Sequence, residues 1–368
     1  MFLQSLSLQF FKNYEKAEVS FCEHFNCLVG MNGSGKTNVL DAIHYLSTTK
    51  SAFHSLDSQS INHEGQYFVI NGNFSIKENE KKVHCSLKKN SRKTFKVDDT
   101  EYEKLSEHVG KFPLVLIAPN DDELIRDSNE TRRKFFDSII SQYDHEYLKL
   151  LITYNHHLKQ RNALLKSFSE RKKVDYVMLE TYDQPLLSIG TSIAKTRKKF
   201  VQEFIPHLQK NYDLISDKKE QVHITYGTKV LEKDYKEKYQ KGVDKDIITQ
   251  RTNLGIHRDE YLFEIDSHLI KKYGSQGQQK SLLISLKLAQ FEFIKSHLNE
   301  TPILLLDDIF DKLDDERISQ LMKIIGSDDF GQVFITDARE ERTKTLLKDK
   351  FEPMKIFRVD QNTIQEVD

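Results

Sequence analysis

The sequence predicts an α/β fold, a split α/β lobe with a second, mostly helical lobe inserted in it. A glycine turn, Gly30-Met31-Asn32-Gly33-Ser34-Gly35-Lys36-Thr37, stands between an apolar strand and a helical pattern. A second apolar strand, Ile303 to Leu306, ends in Asp307 and Asp308, with Lys36 and Asp307 271 residues apart. Between these points the hydrophobic period changes from two to three and four, the change from strands to helices. The expected boundaries are 1–118 for the first part of the α/β lobe, 119–254 for the inserted helical lobe and 255–368 for the return.

The elements follow in order. Alternation predicts strands over Leu3–Phe10 and Val19–Phe25, and Asn26–Val29 is a short apolar strand entering the glycine turn. Val39, Leu40, Ile43 and Leu46 recur at helical spacing, so a helix is expected over Thr37–Leu46. Alternation over Phe68–Ile76, Lys82–Leu87 and Thr94–Val97 predicts a mainly antiparallel region. From Thr131 to Leu165 the residues Phe136, Ile140, Tyr143, Tyr147, Leu151, Tyr154 and Leu158 step by three and four, which predicts one long amphipathic helix capped by Ser128 or Asn129. A second helix is expected over Tyr176–Leu214, kinked or broken at Pro185 and Gly190. Lys229–Lys245 is lysine-rich with little apolar content and reads as an exposed connection. Then come a strand at Tyr261–Ile265, a helix at Gln279–Leu298, the strand Ile303–Leu306, a helix from Glu316 and a strand at Gln332–Ile335.

Composition narrows the class. A chain of 368 residues suggests two or three lobes at roughly 150 residues each. Lys and Arg number 55 against 56 Asp and Glu, so any basic surface is local. The mean hydropathy is −0.59, and no apolar run approaches the ~18 residues of a membrane span, so a soluble, cytoplasmic protein is expected. The opening residues alternate and show neither the basic region nor the apolar core of an export signal. Cys22, Cys27 and Cys85 form no Cys-x-x-Cys pair, which argues against a disulfide framework or a zinc site and for buried thiols.

The glycine turn matches G-x-x-x-x-G-K-[ST] at every fixed position, in the strand-to-helix context that gives the motif its meaning. Glycines let backbone N–H groups converge on phosphates, the helix N-terminus adds partial positive charge, Lys36 reaches the β/γ-phosphates and Thr37 offers a hydroxyl to Mg²⁺. The candidate nucleotide-binding residues are Gly30, Asn32, Gly33, Ser34, Gly35, Lys36, Thr37 and Asn38. Asp307 is the expected partner of Thr37 on the metal, and Asp308 is placed to orient a water or take its proton, so Asp308 and Lys36 are the candidate catalytic residues. Tyr273-Gly274-Ser275-Gln276-Gly277-Gln278 is a turn opening a helix, readable as an N-cap or as a second anion site.

Ser275 to Gln278, a short distance before the acidic strand, resembles the signature loop of ABC-type ATPases, and Lys312-Leu313-Asp314 resembles their D-loop. The resemblance implies ATP and Mg²⁺ as cofactors, adds Ser275, Gly277 and Gln278 to the nucleotide site, and implies a head-to-tail dimer in which one copy's signature loop covers the ATP of the other. Across essentially the whole chain the sequence is similar to the RecF family of bacterial recombination mediators. Phe10-Phe11-Lys12-Asn13-Tyr14 resembles the family's first-strand motif, with Lys12 where Arg is usual. The segments Lys159 to Lys166 and Gly255-Ile256-His257-Arg258-Asp259 are more diagnostic, since no generic ATPase needs them. Departures fall at Asn120, Asp127, Asn129 and Ile256, where the family more often has Glu, Gly, Pro and Pro. The resemblance implies a weak ATPase that binds double-stranded and gapped DNA and, with RecR and RecO, promotes loading of RecA.

Arg132, Arg133, Lys134, Lys159, Arg161 and Lys166 place cations along the helical lobe, and Arg132, Arg133, Lys159 and Arg161 are the leading DNA-contact candidates. A solvated helix face carries such residues too. His156 and His157 are adjacent and cannot present an i, i+4 metal face. His257-Arg258-Asp259 either approaches the nucleotide or ties the lobes together by a charged network. Thr336-Asp337 ends a strand where ABC-type enzymes usually place a switch histidine, so γ-phosphate sensing is expected to rest on a hydroxyl. Asp308 is one methylene shorter than the usual Glu, which predicts slow hydrolysis. The competing readings are an ATP-gated scaffold that binds no DNA and the ATPase subunit of a transporter.

Overall fold

Alternating side chains build the first sheet. Strands β1 (Phe2–Phe11), β2 (Tyr14–Ser20), β4 (Tyr67–Ile76), β5 (Asn79–Lys88), β6 (Thr94–Val97) and β7 (Thr100–Glu101) lie in the order β2-β1-β4-β5-β6-β7, antiparallel throughout. The computed structural model describes residues 1–77, 79–216, 220–311, 313–327, 329–347 and 353–367. The alternating segment expected over Val19–Phe25 is divided: β2 ends at Ser20 and β3 (Phe25–Val29) starts a new sheet. Asn26 makes the turn by accepting from Cys22 N–H and donating to Cys22 O, both at 2.9 Å. Helix α1 (Lys36–Thr48) buries Val39, Leu40, Ile43 and Leu46, as their spacing predicts, in one core with Leu3, Leu6 and Phe74 of the first sheet and Leu28, Leu305 and Phe334 of the second. Strand β8 (Leu114–Ile117) closes this part of the chain.

Contacts divide the chain into one unit of Met1–Asp121 and Leu286–Asp368 and another of Asp122–Ser285. The second unit contains α2 (Glu123–Arg126), α3 (Asn129–Tyr143), α4 (His145–Arg171), α5 (Tyr176–Ser216), β9 (Val222–Gly227), α6 (Tyr235–Lys241), α7 (Val243–Thr249), β10 (Glu260–Ile265), β11 (His268–Leu269), α8 (Ile270–Tyr273) and the start of α9 (Gln276–Leu298). The re-entry therefore falls at 286 rather than 255. Pairing explains it, because β10 is the middle strand of a sheet with β9 and β11 and keeps residues 255–285 in this unit.

The long helix expected from Thr131 is two helices. Asp144 leaves helical geometry and its side chain accepts the Tyr147 N–H at 2.9 Å, so an N-cap interrupts an otherwise continuous apolar period. Ser128 occupies the expected N-cap position of α3 but makes no side-chain cap bond, and Asn129 Oδ1 accepts from Tyr261 N–H at 3.0 Å. Helix α5 runs unbroken through both Pro185 and Pro206. Tertiary packing overrides the local cost, for Leu179, Leu186, Ile193, Phe200, Phe204 and Leu208 all bury one stripe. Gly190 is a point of close approach, since a Cβ there would lie 3.3 Å from the Tyr154 ring. Tyr154 faces Gly190 and Arg161 meets Asp183, so α4 and α5 pack antiparallel. The segment Lys229–Lys245 is no simple exposed connection, because it holds α6 with Tyr235 and Tyr239 buried and the start of α7.

Returning to the first unit, β12 (Ile303–Leu306), α10 (Asp315–Ile325), β13 (Val333–Asp337), α11 (Glu340–Leu347), β14 (Met354–Asp360) and β15 (Thr363–Val367) complete the second sheet in the order β15-β14-β3-β13-β12-β8. Every pairing is parallel except that of the edge strand β15. The fully buried runs Phe25–Val29 and Ile303–Leu306 are what a strand in the middle of such a sheet requires. Cys27 and Cys85 are buried, Cys22 is half-buried, and all three are free thiols. Among the described residues no helix is long and apolar enough to cross a membrane.

Candidate nucleotide site and its surroundings

Parallel pairing carries the functional residues to one edge of the second sheet. β3, β12 and β13 lie in adjacent register, so the turn after Val29, the acids after Leu306 and the end of β13 meet at their C-terminal ends. Two glycines of the turn are dictated by space. A Cβ on Gly30 would stand 2.2 Å from Val359 O, and one on Gly35, at φ 115°, would stand 2.6 Å from Asn13 Nδ2 and 2.7 Å from the Tyr14 hydroxyl. The β1–β2 turn braces the loop: Tyr14 OH donates to Gly35 O at 3.1 Å, and Asn38 Nδ2 donates to Asn13 Oδ1 at 2.6 Å. Lys12 does not face the loop, because its ammonium is buried against Asp41 at 2.7 Å.

Gly35 caps α1 without a side-chain bond, and in the first turn Asn38 N–H donates to Gly35 O at 3.0 Å. Lys36 is 4% exposed, and its ammonium donates to Gly30 O at 2.8 Å and Met31 O at 3.0 Å, inside the loop. Ser34 Oγ is buried with no hydrogen-bond partner, while Asn32 and Gly33 are exposed. Thr37 Oγ1 lies 2.9 Å and 3.1 Å from the two carboxylate oxygens of Asp307. Burial holds the Asp307 carboxyl above the usual carboxylate range, with the Thr336 and Thr37 hydroxyls opposing it. A glycine cradle, an ammonium, an unpartnered buried hydroxyl and a hard-oxygen pair fit a nucleotide polyphosphate with Mg²⁺.

At the strand end beyond these acids the Thr336 hydroxyl is fully buried, donating to Asp307 Oδ1 at 2.8 Å and accepting the Asp308 N–H at 2.9 Å, so its proton is engaged by Asp307. Asp337 is held by Arg342 at 2.6 Å, Thr343 at 2.8 Å and the Arg339 N–H at 3.1 Å. Burial alone would raise its carboxyl, but these donors bring it below the ordinary range. In the D-loop segment Lys312 lies outside the described residues, and Asp314 caps α10 by accepting the Arg317 N–H at 3.0 Å.

In the second unit Ser275 and Gln278 form a reciprocal capping box: Gln278 N–H donates to Ser275 Oγ at 3.2 Å and Ser275 N–H donates to Gln278 Oε1 at 2.8 Å. Ser275 is exposed and Gly277 half-buried at the first turn of α9. Two DNA-contact candidates are structural. Arg161 is fully buried, with Asp183 at 2.5 Å and Asp246 at 2.7 Å. Arg132 is 4% exposed and its guanidinium donates to Leu124 O, Ile125 O and Tyr261 O. Arg133 is half-buried and donates to Asp259 O at 2.6 Å. Lys134 is exposed but paired with Glu130 at 2.7 Å, and Lys159 and Lys166 are exposed. A charge pattern in sequence cannot separate these cases, since each cation sits on a helix.

The two diagnostic segments latch onto each other. Asn162 Oδ1 accepts from both Thr252 N–H and Thr252 Oγ1 at 2.8 Å, and Arg161 donates to Thr252 Oγ1 at 2.9 Å. His257 takes Tyr154 OH at 2.9 Å on Nδ1 and Thr252 O at 3.0 Å on Nε2, and burial lowers its pKa to about 4. Gly255, at φ 137°, leaves no room for a Cβ, which would stand 2.3 Å from the Tyr154 hydroxyl. Asp259 meets Arg197 at 3.0 Å, and Arg197 also binds Asp137 at 2.8 Å. Thus His257 and Asp259 belong to a charged network within the helical unit. Sequence reasoning missed Arg197 and Asp137, and only their helical spacing with buried neighbours hinted at them. His156 is exposed, His157 half-buried, and among the described residues no group of three or more His, Cys, Asp and Glu side chains is arranged to hold a metal.

A family model described as the RecF/RecN/SMC N terminal domain matches residues 2–365. The chain is 46% identical to the DNA replication and repair protein RecF of Flavobacterium johnsoniae, over 97% of this chain and 99% of that protein. It is 43% identical to the protein of the same name from Cytophaga hutchinsonii, over 100% and 97%. A solved structure of the recombination mediator protein RecF with ATP in the RecFOR pathway aligns with a TM-score of 0.89 at 30% identity, covering 100% of this chain and 98% of that one. The Smc head domain of Pyrococcus furiosus, at 17% identity and a TM-score of 0.57, shares the fold.

Proposed function

The chain belongs to the RecF family of DNA replication and repair proteins, and from that premise we propose that it is an ATP-dependent DNA-binding protein of recombinational repair. The observation that carries the reading is the Thr37 hydroxyl against the Asp307 carboxylate beside a buried Lys36, a ready-made Mg²⁺ and phosphate site. Gly30 to Asn38 hold the phosphates, Lys36 neutralises them, and Thr37 with Asp307 holds Mg²⁺. Bound Mg²⁺ supplies charge neutralisation at the β/γ-phosphates. Asp308 orients a water and takes its proton, slowly because its carboxylate is one methylene shorter than a glutamate. Ser275, Gly277 and Gln278 of one copy cover the nucleotide of a second, so ATP closes a head-to-tail dimer and hydrolysis reopens it. The dimer holds duplex DNA beside single-strand gaps and acts with RecR and RecO to load RecA. Burial of Arg132 and Arg161 leaves Arg133, Lys134, Lys159 and Lys166 as the phosphate-contact candidates among those read from the sequence.

Sedimentation with and without ATP and duplex DNA tests this, using the wild type and Ser275→Arg. ATP-driven dimers that retain DNA, with the variant monomeric, support the composite site. Dimers without DNA favour the ATP-gated scaffold. Monomers on DNA in every condition reject the clamp and leave nucleotide binding alone.

A further inference from the structure

Strand β13 brings one hydroxyl to both acids. Its register pairs Ile335 with Leu306, so the next residue, Thr336, stands beside Asp307. Thr336 Oγ1 donates to Asp307 Oδ1 at 2.8 Å and accepts from Asp308 N–H at 2.9 Å, which uses its one donor and one of its two acceptor sites. Thr336 is fully buried and Asp307 is 3% exposed, so no water competes for these bonds. Asp308 has φ 45°, a left-handed conformation uncommon for a non-glycine residue, and its N–H bond to Thr336 holds that turn. Thr37 Oγ1 also donates to Asp307, at 2.9 Å from the same Oδ1 and 3.1 Å from Oδ2, but a hydroxyl that binds a cation through its oxygen must turn its proton elsewhere, whereas the Thr336 bond engages Oδ1 alone, leaves Oδ2 to a cation and can persist. Asp337 cannot do this work, since its own carboxylate is taken up by Arg342, Thr343 and the Arg339 N–H.

We propose that Thr336 is a positioning residue that fixes the metal-binding carboxylate of Asp307 and the backbone of the water-orienting Asp308 in one arrangement, thereby coupling metal affinity to hydrolysis. This rests on the ATP and Mg²⁺ reading of the same site. It takes the place of contact with the γ-phosphate from this strand end, because the hydroxyl is already committed to the two acids.

The test compares wild type, Thr336→Val and Thr336→Ser in three measurements: affinity for a fluorescent ATP analogue in EDTA, the tightening of that affinity by Mg²⁺, and Mn²⁺ binding to the nucleotide complex by EPR. Valine matches threonine in shape and lacks the hydroxyl, while serine keeps it. Thr336→Val should leave affinity in EDTA within about twofold and weaken the metal-dependent tightening and Mn²⁺ affinity by about tenfold to a hundredfold, with hydrolysis falling in parallel. Thr336→Ser should restore all three to within about threefold. If Thr336→Val keeps the wild-type metal response, or loses affinity in EDTA to the same degree, or if serine fails to rescue, the assignment is overturned. A wild type that binds no nucleotide with or without metal instead overturns the ATP reading, a separate result.

Discussion

Replacing Arg197 by Met should destabilise the protein by about 3–5 kcal/mol at pH 7. Arg197 is 2% exposed, and its guanidinium reaches Asp137 at 2.8 and 2.9 Å, Asp259 at 3.0 Å and Ile256 O at 2.9 Å. Methionine preserves most of the apolar stem but strands two carboxylates in a low-dielectric interior. The loss is limited because Tyr147 still donates to Asp137 and Tyr226 to Asp259. At roughly 2–4 °C per kcal/mol for a unit of this size, the midpoint should fall by roughly 6–20 °C. Burial already pushes the Asp259 carboxyl above its usual range against the pull of Arg197, so removing that cation raises it further and the loss should shrink towards pH 5. The assay is urea unfolding followed by circular dichroism, alongside Arg197→Met/Asp137→Asn/Asp259→Asn, which removes the stranded charges and should recover at least half the loss. A loss below about 1 kcal/mol for the single variant, or no recovery in the triple, refutes the reasoning.

His108 and His257 are both held neutral by burial, with pKa values of about 4 against 6.5 when unfolded, so the unfolded chain binds more protons below pH 6.5; stability should fall by up to about 3 kcal/mol for each as pH drops from 6.5 to 4, measured by unfolding across that range. The raised carboxyls of Asp259 and Asp307 oppose this trend at the acid end. Gly255→Ala should cost about 2 kcal/mol or more, read from its thermal midpoint, because it adds a Cβ 2.3 Å from the Tyr154 hydroxyl at φ 137°. Arg161→Met should lower the midpoint without changing the salt dependence of DNA binding, whereas Lys159→Ala should leave the stability within about 0.5 kcal/mol and, as a phosphate contact, reduce the salt slope by about one.

The elements that sequence alone determined are those whose signal is local. The phosphate loop needs its glycines within eight residues, and alternation in β1, β4 and β5 and the apolar stripe of α1 repeat within a single element. The break at Asp144 is also local, but a capping side chain there competed with an apolar period that continued across it, and the cap prevailed. What tertiary structure decided is whatever depends on a distant partner. Helix α5 continues through Pro185 because its buried stripe outweighs a missing bond, and Gly190 serves the approach of Tyr154 rather than a break. Arg132 and Arg161 read as surface cations until carbonyls and carboxylates from elsewhere in the chain enclose them. Thr37 meets Asp307, and Thr336 meets both acids, only because parallel strands far apart in sequence end at the same edge of one sheet. Sequence periodicity records which face of an element is apolar; which polar group completes a buried hydrogen bond is set when the elements pack, since its cost arises only once water is excluded.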